Sequence, residues 1–241
     1  MILQLTNRFI LLIDVETANT TDDALTYDIG GIIMDIYGNT YEVFSFTIRD
    51  IFNGERDLME QAYYAHKIPE YIDAMRKGHR KMIDFLDAWK YILDLMKKYD
   101  IKIVAAYNCA FDKNALNTTL RYISKSKYRW FFPYGTEFIC IWNMATQTIG
   151  QSNEYKIFAE LNHYIGNNGK NYRCTAENIY AFLTDNPNFI EEHQGFADVN
   201  IERKILVKCA EYNNFPHGIG IKRNCWQSVK RNQIMVINKG E

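Results

Sequence analysis

Four acids and one histidine in this 241-residue chain occur at spacings that could bring them into one reaction. The first two lie in Ile13-Asp14-Val15-Glu16-Thr17, at the end of an apolar run. Side chains alternate along a strand, so carboxylates at i and i+2 point the same way. Two acids beside a buried core repel each other and are poorly solvated. A hard divalent cation such as Mg²⁺, which prefers carboxylate oxygens, removes that penalty. A D-x-E on its own is common and is more often a pair of surface acids.

The third acid closes Tyr107-Asn108-Cys109-Ala110-Phe111-Asp112, again just after an apolar run. Asn108 suits a helix N-cap, and Asp112 in a first turn favours the helix dipole without any metal. The fourth closes His193-Gln194-Gly195-Phe196-Ala197-Asp198, where a loop His precedes a helical Asp by five. A single His or a single first-turn Asp is ordinarily structural. The set carries more than its members. Asp14, Glu16, Asp112 and Asp198 each fall at a strand end or helix start. Four acids around two cations is what two-metal phosphoryl chemistry needs, one ion activating a water and the other stabilising the leaving 3′ oxygen. Zinc-type ligation is disfavoured, because no cysteine or histidine pair has ligand spacing.

The elements that must position these residues follow from pattern. Residues 8–14 are too short an apolar run for a helix and read as a buried strand. Strands are expected at 28–35 and 41–48, joined by a tight turn at 37–39 and so antiparallel, with the first strand beside them. Short helices are expected at 55–66 and 69–77. A clear amphipathic helix spans 82–99, with Ile83, Leu86, Trp89, Leu93 and Met96 at spacings of three and four. A strand at 101–107, a helix at 111–122 and a strand at 137–142 come next. Residues 146–174 are polar and read as loop plus a short helix, and helices at 176–183 and 197–212 close the set. This is a layered α/β plan, in which functional groups gather at strand ends and helix starts.

Composition agrees with a packed enzyme-sized domain. At 47% hydrophobic and 24% charged the chain has core material and a globular surface, which excludes disorder, collagen-like repeats and rods. The apolar run at 9–13 ends at Asp14, well short of the roughly 20 residues of a membrane span, and it lacks signal-peptide features. Five scattered cysteines without a C-x-x-C suggest neither a disulfide framework nor a zinc ribbon, which suits a reduced, intracellular setting. The net charge of -1 does not advertise a nucleic-acid binder. Basic clusters do occur: Arg121, Lys125, Lys127 and Arg129, and later Lys222, Arg223, Lys230, Arg231 and Lys239. Alone they are solvated surface. Beside a metal site they become phosphate contacts, with Trp226 available for stacking.

The three motifs, D-x-E-T, N-x-x-F-D and H-x-G-x-x-D, resemble those of the DEDDh (DnaQ-like) family of 3′→5′ exonucleases, over most of the chain. The runs 176–183, 189–193 and 198–202 are most similar to phage-encoded members. The resemblance implies a ribonuclease H-like fold, with a mixed five-stranded sheet and helices on both faces. It implies that Asp14, Glu16, Asp112 and Asp198 bind two Mg²⁺ or Mn²⁺ ions and that His193 is the general base, for which an ordinary pKa of about 6.5 is suitable. Thr17, Asn108 and Phe111 would then meet the 3′-terminal nucleotide of a single-stranded or frayed DNA or RNA. The domain would span 1–212, with an added loop at 143–175 and a basic tail at 213–241. A cytoplasmic site of action follows, the host cytoplasm for a phage protein, with no membrane partner. A homodimer or a replication partner stays open. Family members usually have Ala where Gly195 stands, so Gly195 marks a helix start or leaves room for the base. Two rivals share the fold: a non-catalytic nucleic-acid-binding or replication-scaffold member, and an endonuclease or integrase. Retention of every acid and the His disfavours the first, and the His five before the last Asp disfavours the second.

Overall fold

The apolar run at the start forms β1 (Ile10–Thr17), a central strand of a six-stranded sheet. The fold comes from a computed structural model, which describes residues 8–19, 23–125, 129–212, 220–221 and 224–231. The other strands are β2 (Thr26–Met34), β3 (Thr40–Ile48), β4 (Lys81–Ile83), β5 (Ile103–Ala106) and β6 (Glu137–Cys140), in the order β4-β3-β2-β1-β5-β6. The first three are antiparallel neighbours, while β4, β5 and β6 are each parallel to the strand they join. Asp35 holds the β2–β3 turn by accepting from the Tyr37 and Asn39 amides at 2.9 and 3.0 Å, with Gly38 at φ +90°.

Helices cover both faces, as expected for a mixed α/β layered fold. They are α1 (Arg49–Phe52), α2 (Arg56–Glu60), α3 (Ile68–Arg76), α4 (Phe85–Lys98), α5 (Cys109–Ser124), α6 (Ile141–Gln147), α7 (Asn153–Leu161), α8 (Ala176–Leu183) and α9 (Gly195–Ala210). No helix among the described residues is long and apolar enough to cross a membrane.

Alternation along β1 decides where the chemistry emerges. Leu11, Ile13 and Val15 join the core built with Phe85, Ala88 and Ile92 of α4 and Leu116 and Leu120 of α5. Ile10 and Leu12 join the opposite core, with Met144 of α6, Tyr155 of α7, Ile179 of α8 and Val199 and Ile205 of α9. Burial of each such side chain contributes about 1.5–3 kcal/mol, which fixes the register of the strand. Asp14 and Glu16 are in phase with Ile10 and Leu12, so they leave the sheet on the α9 side.

The structure corrects several expectations. The sheet has six strands rather than five, because Lys81–Ile83, the last two of which read as the start of the amphipathic helix, pair with Phe46–Ile48 as β4. The helix instead begins at Phe85, whose amide donates to Asp50 Oδ2 at 2.6 Å. The helix expected over 55–66 ends at Glu60, and a short 3₁₀ turn follows at Ala65–Lys67. The strand at 137–142 stops at Cys140 and turns directly into α6. Residues 146–174 hold more helix than expected. Ser152 caps α7 by accepting the Tyr155 amide at 3.1 Å, and Tyr155 and Ala159 are fully buried. Residues 224–231 lie against the body, with Val229 buried and Arg231 donating to Glu160 at 2.8 Å. Of the basic clusters, Lys127, Lys222, Arg223 and Lys239 lie outside the described residues.

Candidate active-site cleft

Two glycines allow a close approach of helix to strand beside Asp14. Asp14 of β1 is paired with Gly30 of β2, and the first residue of α9, Gly195, crosses directly over that pair. A Cβ on Gly30 would come within 2.2 Å of the Gly195 carbonyl carbon, and a Cβ on Gly195 within 2.8 Å of the Gly30 nitrogen. Gly195 therefore marks the helix start, and an Ala there would have to push the helix off the strand. With both glycines, the first turn of α9 sits on the end of β1 and brings Asp198 to Asp14 and Glu16.

From the other side, α5 starts where β5 ends. Asn108 occupies its N-cap position, but its side chain makes no capping bond and is exposed. Capping is thus not what Asn108 does. Asp112, in the first turn, is 4% exposed and accepts the Val15 amide at 3.3 Å, which ties it to the strand segment between Asp14 and Glu16.

Asp14, Glu16, Asp112, Asp198, His193, Thr17, Asn108 and Phe111, the residues expected to bind metal, act as base or meet the terminal nucleotide, line one cleft of about 830 Å³. Donor atoms of Glu16, His193 and Asp198 lie within 4.8 Å of one another, a spacing that can hold a metal ion. His193 is half-buried with φ +48°, a left-handed conformation that His tolerates better than most residues. Its ring stacks on Tyr64, with centroids 4.4 Å apart and planes 18° from parallel.

The electrostatics are one-sided. Burial pushes the Asp14 and Glu16 carboxyls well above the ordinary range, with further repulsion from Glu202 and Asp112 on Asp14 and from Asp198 and Asp28 on Glu16. Burial raises Asp112 and Asp198 each to about 7. Burial, then Asp198 and Glu177, raise Glu191 to about 8. His193 moves the other way: burial and then the Lys67 ammonium lower its pKa, favouring the neutral ring. Asp14 Oδ2, Asp198 Oδ1 and Glu202 Oε2 are buried with no hydrogen-bond partner. Buried, unpartnered carboxylate oxygens on residues lining one cleft fit a hard divalent cation.

The sequence reading missed Glu202, Glu191, Tyr64 and Trp142, which also line the cleft. Glu202 was detectable. It lies one turn after Asp198 on the stripe continued by Ile205 and Cys209, so helical period alone puts an acid among buried positions. Tyr64 and Trp142 carry no pattern of their own, since both come to the cleft from segments whose ends were misplaced.

Compared with family models and with curated protein sequences, the chain finds no match. A solved structure to which it is similar is a moderately thermophilic exonuclease I from Methylocaldum szegediense, with 14% identity and a TM-score of 0.49. The overlap covers 83% of this chain and 40% of that one, so the match spans less than half the length of that protein.

Proposed function

We propose that the chain is a divalent-metal-dependent 3′→5′ exonuclease of the DEDDh type, which hydrolyses the terminal phosphodiester of single-stranded or frayed DNA or RNA and releases nucleoside 5′-monophosphates. The supporting observation is the convergence of all four acids and the histidine, from three separate chain segments, on one cleft with unpartnered carboxylate oxygens. A volume of about 830 Å³ suits a strand end, being within the roughly 300–1,000 Å³ of small-ligand sites.

Asp14, Glu16, Asp112 and Asp198 would hold two Mg²⁺ or Mn²⁺ ions, which supply the charge that makes a bound water nucleophilic and steadies the leaving 3′ oxygen. His193 is the general base. Its lowered pKa keeps a ring nitrogen free at neutral pH to accept the water's proton, and the Tyr64 face fixes the plane of the ring. Thr17 and Asn108 meet the sugar and phosphate of the terminal nucleotide. Phe111, with Trp142 across the same cleft, offers a face for its base.

The test is a gel of 3′- and 5′-labelled DNA and RNA strands with Mg²⁺ and with EDTA. Stepwise shortening from the 3′ end, dependent on Mg²⁺, is expected. Asp14→Asn and Asp198→Asn should abolish it with the fold intact by circular dichroism. His193→Ala should lower turnover by about 10²–10⁴-fold, the usual contribution of a general base. Strand binding without shortening would favour a non-catalytic protein, and internal cuts on a circular substrate an endonuclease.

A further inference from the structure

We propose that Glu202 is a fifth carboxylate of the cation site, recruited by α9 in addition to the four motif acids. The inference rests on the metal-dependent reading above. Glu202 lies at i+4 from Asp198, so the two side chains stand one above the other on the same face of the helix. It is 2% exposed and lines the cleft. The Tyr107 backbone favours its charged form, whereas Oε2 is buried with no hydrogen-bond partner. The charges that repel it are those of Asp112, Glu191 and Asp198, and it in turn is the largest source of charge repulsion on Asp14.

A scaffold role would look different. A buried structural acid is normally satisfied on both oxygens by donors or a counter-ion, and a Leu at this position would extend the stripe formed by Ile205 and Cys209 without any charge. Here Oε2 is buried without a partner on a residue that lines the cleft, as are oxygens of the cleft residues Asp14 and Asp198. That unpartnered oxygen is the donor. Its contribution is to hold the cation before any phosphate is present, which makes the metal-bound state independent of substrate.

The experiment measures Mn²⁺ binding to the full chain by isothermal titration calorimetry without nucleic acid, together with the melting temperature in EDTA. Glu202→Gln, which keeps the shape, should weaken Mn²⁺ binding by about 10–100-fold, the size seen when a group supporting a metal is removed. Its metal-free melting temperature should be no lower than the wild type's. Glu202→Asp, which keeps the charge but withdraws it by a methylene, should bind between the two. Equal affinity in all three proteins overturns the proposal. So does a Glu202→Gln protein that melts well below the wild type in EDTA, since that assigns the residue to the scaffold. A wild type that binds no Mn²⁺ sinks the metal-dependent reading itself, a result distinct from either.

Discussion

Two groups of buried acid lie one strand apart and are treated in opposite ways. Asp28 of β2 is directly opposite Glu16 of β1 and is fully buried. It accepts the Tyr71 hydroxyl at 2.7 Å and the Gly195 amide at 3.1 Å, and it is ion-paired with Arg80, itself buried. The Arg80 guanidinium lies 4.3 Å over the Tyr71 ring and donates to Gln194 Oε1 at 3.2 Å. The cleft acids have the same strand as neighbour and no such accounting: Asp14, Asp198 and Glu202 each keep a buried oxygen without a partner. Asp28 is therefore completed from within the chain, and the cleft is built to be completed from outside it. The two are coupled through α9. By holding the Gly195 amide, Asp28 fixes the start of the helix that carries Asp198 and Glu202, and the loop that carries His193.

The comparison breaks most visibly if the internal counter-ion is removed. Arg80→Met leaves Asp28 buried and uncompensated, and should cost about 3–5 kcal/mol in urea unfolding. Replacing Asp28 as well, as Asp28→Asn with Arg80→Met, should recover part of that loss, because the penalty belongs to the unpaired charge. A loss below about 1 kcal/mol for Arg80→Met would mean that Asp28 is not dependent on its arginine. The next largest effect is steric. Gly30→Ala places a methyl 2.2 Å from the Gly195 backbone, and should destabilise by about 1–3 kcal/mol. By displacing α9 it should also weaken Mn²⁺ binding. A variant with wild-type stability and affinity would show that the strand–helix contact does not position the acids.

Much of this was legible beforehand, for a physical reason. Asp14, Glu16, Asp112 and Asp198 sit at the end of a buried apolar strand or in the first turn of a helix, so their direction followed from alternation and from helix starts. The sheet edge and the polar middle of the chain were harder. β4 is three residues long, and its Lys81-Met82-Ile83 also fits a helical stripe. α7 is set by a cap at Ser152 and by tertiary burial of Tyr155 rather than by a continuous apolar stripe. The Asp28–Arg80 pair spans 52 positions, and nothing local in either segment announces it. Pairing of that kind is decided by which elements pack together, whereas the direction of a side chain on one element is decided by period.

The smallest effect sharpens the comparison by its sign. Asp112 and Asp198 at about 7, and Glu191 at about 8, lie above ordinary carboxyl values. Between about pH 4 and 8 the metal-free folded protein thus binds more protons than the unfolded chain, and its stability must fall as pH rises through that window. Four groups oppose this, His193 and the lowered acids Asp35, Glu42 and Glu160, the acids only below about pH 5. His193, lowered below 6.5, contributes in the other direction. Glu160, held at about 2 chiefly by its hydrogen bonds from Arg231, has delivered its stabilisation by about pH 5. Three or more raised carboxyls outweigh one lowered imidazole, so melting in EDTA should be several degrees lower at pH 8 than at pH 5.5, about 2–4 °C for each 1 kcal/mol in a chain of this size. Mg²⁺ should restore the loss at pH 8 and do little at pH 5.5, where protons occupy the same oxygens. Asp198→Asn should flatten the profile in EDTA and reduce the Mg²⁺ effect. A wild-type melting temperature that climbs steadily from pH 5.5 to pH 8 in EDTA would place the cleft acids with Asp28, already satisfied from within, and leave no electrostatic reason for a cation to bind there.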